Sequence, residues 1–388
     1  MSVVVPGIDT PSSTAVVRSL GRRGIGVIVA EHGESPAGAS KYCDLRITVP
    51  SPHEDYEGYA EALLALARCP ETETVVPLRE TDVYALSTRR GEFSPHVATP
   101  WPDRTTVKMA QDRLRLFEVA RAAGLRVPQT DRIEEYDGWD VPTVIKPRYS
   151  VLETEGRLVE PSVRLLSRGS EPDREALCTA MGHAPLVQAY VPGTEELGFF
   201  ALFDHGRPLA TFQHRRRRSY HYTGGASVYR EAIDDPAVES AGLALLRALG
   251  WHGPAMVEFK RDARDGELVL MEVNPRFWGS LALSIHAGVD FPYHYYRLAT
   301  DDPIERAPSY ETGVASHVLH GELVYLMSLL GQVDSPGERP PLGSELVAVA
   351  RSLASQPNFD YCSLDDPRPF LVDLNHTART MLERVRRS

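Results

Sequence analysis

Nine residues, from Leu268 to Arg276, constrain this chain more than any other stretch. Leu268-Val269-Leu270-Met271 is apolar and runs without a break into Glu272-Val273-Asn274-Pro275-Arg276. Side chains alternate along a strand, so Glu272 and Asn274 share a face, about 6.6 Å apart. The preceding apolar run, Ala255-Met256-Val257-Glu258-Phe259, carries one carboxylate, and Arg264-Asp265-Gly266 supplies a turn between the two. Its glycine suits a left-handed position. A three-residue loop pairs Ala263 with Glu267, and the same register sets Glu258 opposite Glu272. A two-residue Asp-Gly turn would set Glu258 opposite Val273, on the wrong face. The odd-length loop is the expectation.

Two carboxylates held face to face in a buried strand pair repel, and the arrangement calls for a counter-ion. A hard cation with oxygen ligands answers it. Mg²⁺, which takes few carboxylates plus substrate phosphates, fits better than an all-protein calcium cage. Arg276, two residues past Asn274, points the same way and can neutralise a transferring phosphoryl group. The competing reading is a solvated hairpin with surface acids, and the apolar flanks of both strands weigh against it.

The chain around this hairpin reads as mixed α/β. Strands are expected at 2–5, 25–30 and 74–77, alternating with helices that begin at Ser12 or Ser13 and at Tyr56. This alternation predicts an open parallel sheet over residues 1–104. Pro95, Pro100 and Pro102 around Trp101 mark its end. One helix is expected from Thr105 to Ala123, closed by Gly124. Strands follow at 142–146, 186–190, 199–203, 209–213, 255–260 and 267–274, with a helix at 236–249. They suggest an α+β unit in two lobes, 105–185 and 186–302. Residues 303–388 read as mostly helical, broken by turns such as Glu338-Arg339-Pro340-Pro341.

The 388 residues are 42% hydrophobic, enough for such a core without staples. A net charge of −11 argues against a general nucleic-acid binder, because phosphate binding needs basic surface. Cys43, Cys69, Cys178 and Cys362 are far apart and form no CxxC or Cys/His cluster, so separate thiols in a reducing cytoplasm are expected. The N-terminus has no secretory pattern. The apolar run Leu323–Leu330 is far short of the roughly 20 residues that cross a bilayer. No GxGxxG, GxSxG or GxxxxGK[ST] pattern is present.

At the hairpin the chain resembles the ATP-grasp superfamily, whose second metal strand typically reads Glu-x-Asn-x-Arg, and Glu272-Val273-Asn274-Pro275-Arg276 matches each specified position. The resemblance covers roughly Thr105 to Ala299. It implies that Glu258, Glu272 and Asn274 hold one or two Mg²⁺ (Mn²⁺ is a substitute) against the phosphates of ATP, and that Arg276 steadies the γ-phosphoryl group. Lys146, closing the run Pro142-Thr143-Val144-Ile145, takes the place of a phosphate-binding lysine. Arg113 takes that of an earlier phosphate contact, with Lys108 as the fallback. Gln188-Ala189-Tyr190-Val191 looks like the hinge whose backbone meets the adenine edge. Glu195 matches the ribose carboxylate, and Glu196 replaces it if the register slips by one. The loop after Lys146, Arg148 to Gly156, has one glycine where the family often has several, so the lid differs.

On the substrate side, Phe212-Gln213-His214-Arg215-Arg216-Arg217-Arg218-Ser219-Tyr220 is the one dense basic run. Alternation puts His214, Arg216 and Arg218 on one face. Gly224-Gly225 follows in what reads as a flexible turn. The resemblance makes Arg216 and Arg218 carboxylate binders beside Gly224 and Gly225. In the far segment, His286, Asp290 and Tyr293 are candidates to face the nucleophile site, with core or surface packing the preferred reading for each. The implied reaction activates a carboxylate as an acyl-phosphate and passes it to an amine, giving an amide. The rivals are another acceptor (ammonia, a thiol, a carboxylation), a degenerate nucleotide-binding regulator and an NAD(P) enzyme. The expected partners are a small carboxylate and an amine, with no nucleic acid and no membrane, and a homodimer is left open.

Overall fold

A computed structural model describes residues 1–193, 195–304, 309–331 and 339–387, with side chains up to 380. The first unit is a parallel sheet of β1 (Ser2–Pro6), β2 (Gly26–Glu31), β3 (Leu45–Thr48) and β4 (Thr72–Val75), in the order β3-β2-β1-β4. Val3, Val4 and Val5 are fully buried because helices cover both faces, as an all-parallel sheet requires. The first helix begins at Pro11, ahead of the expected Ser12 or Ser13, since proline is pre-set for the first turn. The edge strand β3, Leu-Arg-Ile-Thr, is mostly exposed and carries too little apolar signal to stand out in the sequence.

The helix expected over 105–123 is two helices, Arg104–Gln111 and Arg113–Ala122. They part at Asp112, whose backbone is extended (φ −88°, ψ 102°) and whose carboxylate accepts from the Leu114 N–H at 3.1 Å. Asp112 thus caps the second helix, and Arg113 opens it.

The next sheet is antiparallel, in the order β5-β10-β6-β9: β5 (Thr130–Arg132), β6 (Thr143–Lys146), β9 (Arg164–Leu166) and β10 (Leu186–Ala189). Between β6 and β9 lies a short hairpin, β7 (Leu152–Thr154) with β8 (Arg157–Val159). The crossing to the following sheet comes after Ala189 rather than before Leu186, because β10 bonds to β5 and β6.

That following sheet has six strands in the order β15-β14-β11-β12-β13-β16. They are β11 (Glu196–Asp204), β12 (Arg207–His221), β13 (Gly224–Ala232), β14 (Gly253–Arg261), β15 (Leu268–Asn274) and β16 (Ala315–His317). Alternation divides β14: Ala255, Val257 and Phe259 are buried with Leu245 and Leu246 of the helix Pro236–Ala248. That helix lies close because Gly242 abuts Phe199, where a Cβ would sit 2.2 Å from the ring. Met256, Glu258 and Lys260 face the other way, toward the β5-β10-β6-β9 sheet.

The helices Leu319–Ser328, Leu342–Ser355 and Arg368–Arg387 follow, and Glu338 of the expected turn lies outside the described residues. No described helix is long and apolar enough to cross a membrane. The C-terminal stretch is tied to the rest by buried ion pairs: Arg18–Asp366 at 2.9 Å, Arg218–Glu322 at 2.9 Å, and Arg230–Asp360. Removing one partner of a buried pair strands the other. Asp360→Ala should therefore cost about 3–5 kcal/mol of stability, read as a lowered thermal midpoint, whereas truncating the exposed Asp365 should move it little.

Candidate active site

The hairpin sets Met256 opposite Asn274, Val257 opposite Val273 and Glu258 opposite Glu272. The loop is not of odd length. Arg261 pairs with Leu268, the Asp262 N–H donates to the Glu267 carbonyl at 2.9 Å, and four residues turn between them. A bulge at Met271 then shifts the register between Glu258 and Phe259 by one, and this brings the two carboxylates face to face.

Four cations and a third carboxylate surround the pair. Arg113 donates to Glu272 at 3.2 Å and to the Pro147 carbonyl at 2.7 Å. Asn274 donates to Glu272 at 3.3 Å, and Arg276 donates to Asn274 Oδ1 at 3.3 Å. Arg216 Nη2 lies 3.9 Å from Glu258 and pairs with Glu196. Lys146 ends β6, buried, and among the described residues it makes no ion pair. Burial and then the neighbouring Arg113 lower its pKa from 10.5 to about 8, against the pull of Glu272 and Glu258. Burial and the facing Glu272 push Glu258 well above the usual carboxylate range. Burial also pushes Glu272 up, but Arg113, Lys146 and Arg276 outweigh it and hold the group ionised.

Glu80, which sequence reasoning missed, lies beneath Arg276. Its Oε1 is 3.2 Å from Arg276 Nε, and its Oε2 accepts from Gln111 at 3.2 Å. Burial raises its pKa to about 7 despite the arginine. The available signal was position: Glu80 follows the carboxyl end of β4, where open α/β sheets place their ligand groups.

An open cleft of about 750 Å³ lies above the hairpin, with Lys146 on one wall and Glu258, Glu272, Glu196, Lys260 and Arg216 on the other. Its floor includes Gly198, where a Cβ would sit 2.5 Å from Phe200 and 3.0 Å from His214. Glu195 does not reach this cleft. It bonds Arg261 at 2.7 Å and Arg215 at 3.2 Å, because alternation from Gly198, opposite Glu258, turns Glu196 inward. Glu196 is the carboxylate on the cleft.

In the hinge, the Ala189 N–H donates to the Gln129 carbonyl at 2.9 Å, and Tyr190 lies 5.0 Å under the Lys260 ammonium. Val191 is buried. Gln188 shares the Lys146 side of its sheet, since Leu186 pairs with Lys146 and Gln188 with Val144. Its amide nitrogen is buried without a partner.

Arg218 is not available to a substrate carboxylate. A bulge at Arg217 pairs Arg216 with Arg230 but Arg218 with Tyr229, so the two arginines part. Arg218 binds both oxygens of Glu322, at 2.9 and 3.0 Å. Arg216 stays by the cleft and donates to the Gly225 carbonyl at 3.0 Å. Gly224 and Gly225 open strand β13 rather than a free turn, at φ 130° and 101°. Asp290 accepts from Ser19 and pairs with Arg23 at 2.8 Å, Tyr293 lies under Arg23, and His286 borders a separate hollow against the first helix. These three do not meet the cleft.

The lid departs from expectation as well. Its hairpin is docked on the first unit: the Tyr56 N–H donates to Gly156 O at 3.0 Å, and the Leu158 N–H to Pro52 O at 3.1 Å. Tyr84 donates to Glu153 at 3.0 Å, while Val151 and Leu158 are buried among Tyr56, Tyr59 and Leu63.

The donor set fits a hard divalent ion: two carboxylates and an amide oxygen, with no cysteine among the described residues that line the cleft. A cation there would also relieve the opposition that raises Glu258.

Comparison with known proteins agrees with this geometry. Residues 183–321 match a family described as ATP-grasp in the biosynthetic pathway with Ter operon. A D-alanine–D-alanine ligase of Acidiphilium cryptum (strain JF-5) is 33% identical over 204 residues, covering 47% of this chain and 64% of that protein. The match thus spans less than two thirds of the relative's length. Among solved structures, the ADP complex of purK, an N5-carboxyaminoimidazole ribonucleotide synthetase, superposes with a TM-score of 0.62 at 16% identity, over 91% of this chain and 96% of that one. L-amino acid ligase from Bacillus licheniformis superposes with a TM-score of 0.59 at 16% identity, over 79% and 77%. These likenesses show the fold.

The lowered pKa of Lys146 has a measurable consequence. Between about 8 and 10.5 the unfolded chain holds a proton there that the folded chain has lost, so this group adds stability as pH rises through that window. Acylation needs the neutral amine. Competitive labelling should therefore show Lys146 half-reactive near pH 8, and Arg113→Gln, which removes a like charge, should move that midpoint upward.

Proposed function

We propose that this chain is an ATP-grasp protein, and that it uses Mg-ATP to activate a carboxylate as an acyl-phosphate and joins it to an amine as an amide. The observation that carries the reading is the cleft itself: two carboxylates and an asparagine on one wall, an unpaired buried lysine on the other. Glu258, Glu272 and Asn274 would hold Mg²⁺, which, when bound, offsets the charge of the terminal phosphates. Lys146 and Arg113 meet the phosphates, and Arg276 stands by the γ-phosphoryl group. Gln188 and the backbone from Ala189 to Val191 take the adenine, and Glu196 takes the ribose hydroxyls in place of Glu195. Arg216 orients the carboxylate.

A carboxylate oxygen attacks the γ-phosphorus and ADP leaves. The amine then attacks the acyl carbon, phosphate leaves, and the nitrogen gives up a proton. The chain's part is positioning and electrostatics, with no protein nucleophile. Glu80 fixes Arg276 for both steps. A division into units after 104, after Ala189 and after 302, and a cytoplasmic setting supplied with ATP, belong to the same proposal.

A pool of amino acids and small acids, led by amino acids because the 33% identical relative is named for joining them, should elicit ADP release that needs both a carboxylate and an amine. Hydroxylamine should trap a hydroxamate. Glu272→Gln should lower kcat by about 10²–10³. ADP formation indifferent to every carboxylate, or to Glu272→Gln, would sink the proposal; release with ammonia or a thiol alone would name a different acceptor.

A further inference from the structure

A second cleft, of about 910 Å³, opens between the helix Arg104–Gln111 and the docked lid hairpin. Arg104, Lys108 and Gln111 line it at i, i+4 and i+7, which is one helix face. Arg115 and Arg148 complete its cations, against the carboxylates of Asp112 and Glu153. Both acids are already engaged. Asp112 takes Arg148 through both oxygens, at 3.0 and 2.8 Å, and Glu153 accepts from Tyr84.

Arg104 and Lys108 are left over. Among the described residues neither has a carboxylate within ion-pair distance. Arg104 stacks on Tyr84 at 4.1 Å, and one of its terminal nitrogens is buried with no acceptor. A buried donor without a partner costs about 1–3 kcal/mol, and a ligand oxygen would recover it. In a chain of net charge −11, this is a hollow that concentrates positive potential.

One lining residue of the hollow, Gln111, is linked to the reacting centre through side chains. Gln111 bonds Glu80, Glu80 pairs with Arg276, and Arg276 reaches Asn274. We propose that this cleft binds the anionic group, carboxylate or phosphate, of the acceptor amine, with Arg104 and Lys108 as its contacts. The assignment rests on the ligase reading above and narrows it: the acceptor is an amine that carries a second, negatively charged end, such as an amino acid or a phosphorylated amine. Lys108 thereby serves this cleft and not the nucleotide cleft, which it does not line.

The test is an anion titration of the full chain by calorimetry, with inorganic phosphate and with succinate as probes. It is run with the nucleotide cleft filled by Mg-AMP-PNP and again without nucleotide. At least one anion should bind saturably in both conditions, and the tighter one identifies the group. Arg104→Met and Lys108→Met should each weaken that binding about tenfold or more, while Arg104→Met leaves AMP-PNP affinity unchanged. Absence of saturable binding of both anions, or wild-type anion affinity in both variants, overturns the assignment. A wild-type chain that binds anion but not AMP-PNP would speak against the nucleotide reading alone.

Discussion

Glu258 and Glu272 face each other on neighbouring strands, and much of the surrounding structure answers to that opposition. Like charges directly across a ladder are destabilising. Beside Arg216 on a strand of the same sheet, the compensation comes from three other places in the chain. Lys146 arrives from the facing sheet, Arg113 from the first turn of a helix, and Arg276 from the residues just past β15. Arg276 in turn is held by Glu80 at the end of the parallel sheet. Arg216 and Arg276 belong to the six-stranded sheet and its continuation, while Lys146 and Arg113 come from outside it. The site therefore exists only when the first sheet, the small antiparallel sheet and the six-stranded sheet are assembled, and its electrostatics couple their docking.

What the sequence made legible is what depends on neighbours a few residues away. Glu272 and Asn274 share a face because strands alternate, and their apolar flanks mark the strand as buried. The opposition of Glu258 to Glu272 was readable too, although the route to it differs. The turn is one residue longer than expected, and the bulge at Met271 restores the pairing. A bulge leaves little trace in residue types, since Met271 is as apolar as the three residues before it. The same blindness affects the basic run, where a bulge at Arg217 sends Arg218 to Glu322 and leaves Arg216 at the cleft. With four consecutive arginines, alternation alone cannot say which one turns.

The remainder was hidden because it depends on contacts distant in sequence. Glu195 and Glu196 are chemically the same, and only the pairing of Gly198 with Glu258 decides which carboxylate looks inward. Arg218 meets a partner 104 residues away and Arg18 one 348 residues away, so nothing local identifies them as ties for the C-terminal helices. The lid follows the same logic. A glycine-poor loop after Lys146 reads as an altered flap, yet its apolar residues Val151 and Leu158 find their burial on the first unit.

Asp112 links these observations. Its backbone interrupts what the apolar spacing presents as one helix, and its side chain caps the second half while gripping Arg148. Its backbone also pairs with Tyr149. One residue thereby fixes the start of the helix that presents Arg113 to Glu272, and the strand end that presents Lys146. The helix before the break carries Arg104 and Lys108 on a different face, toward the second cleft. Five residues separate Lys108 from Arg113, about 140° around an unbroken helix, so the two already point apart; what the break at Asp112 adds is the cap and the grip on Arg148 that fix Arg113 against Glu272.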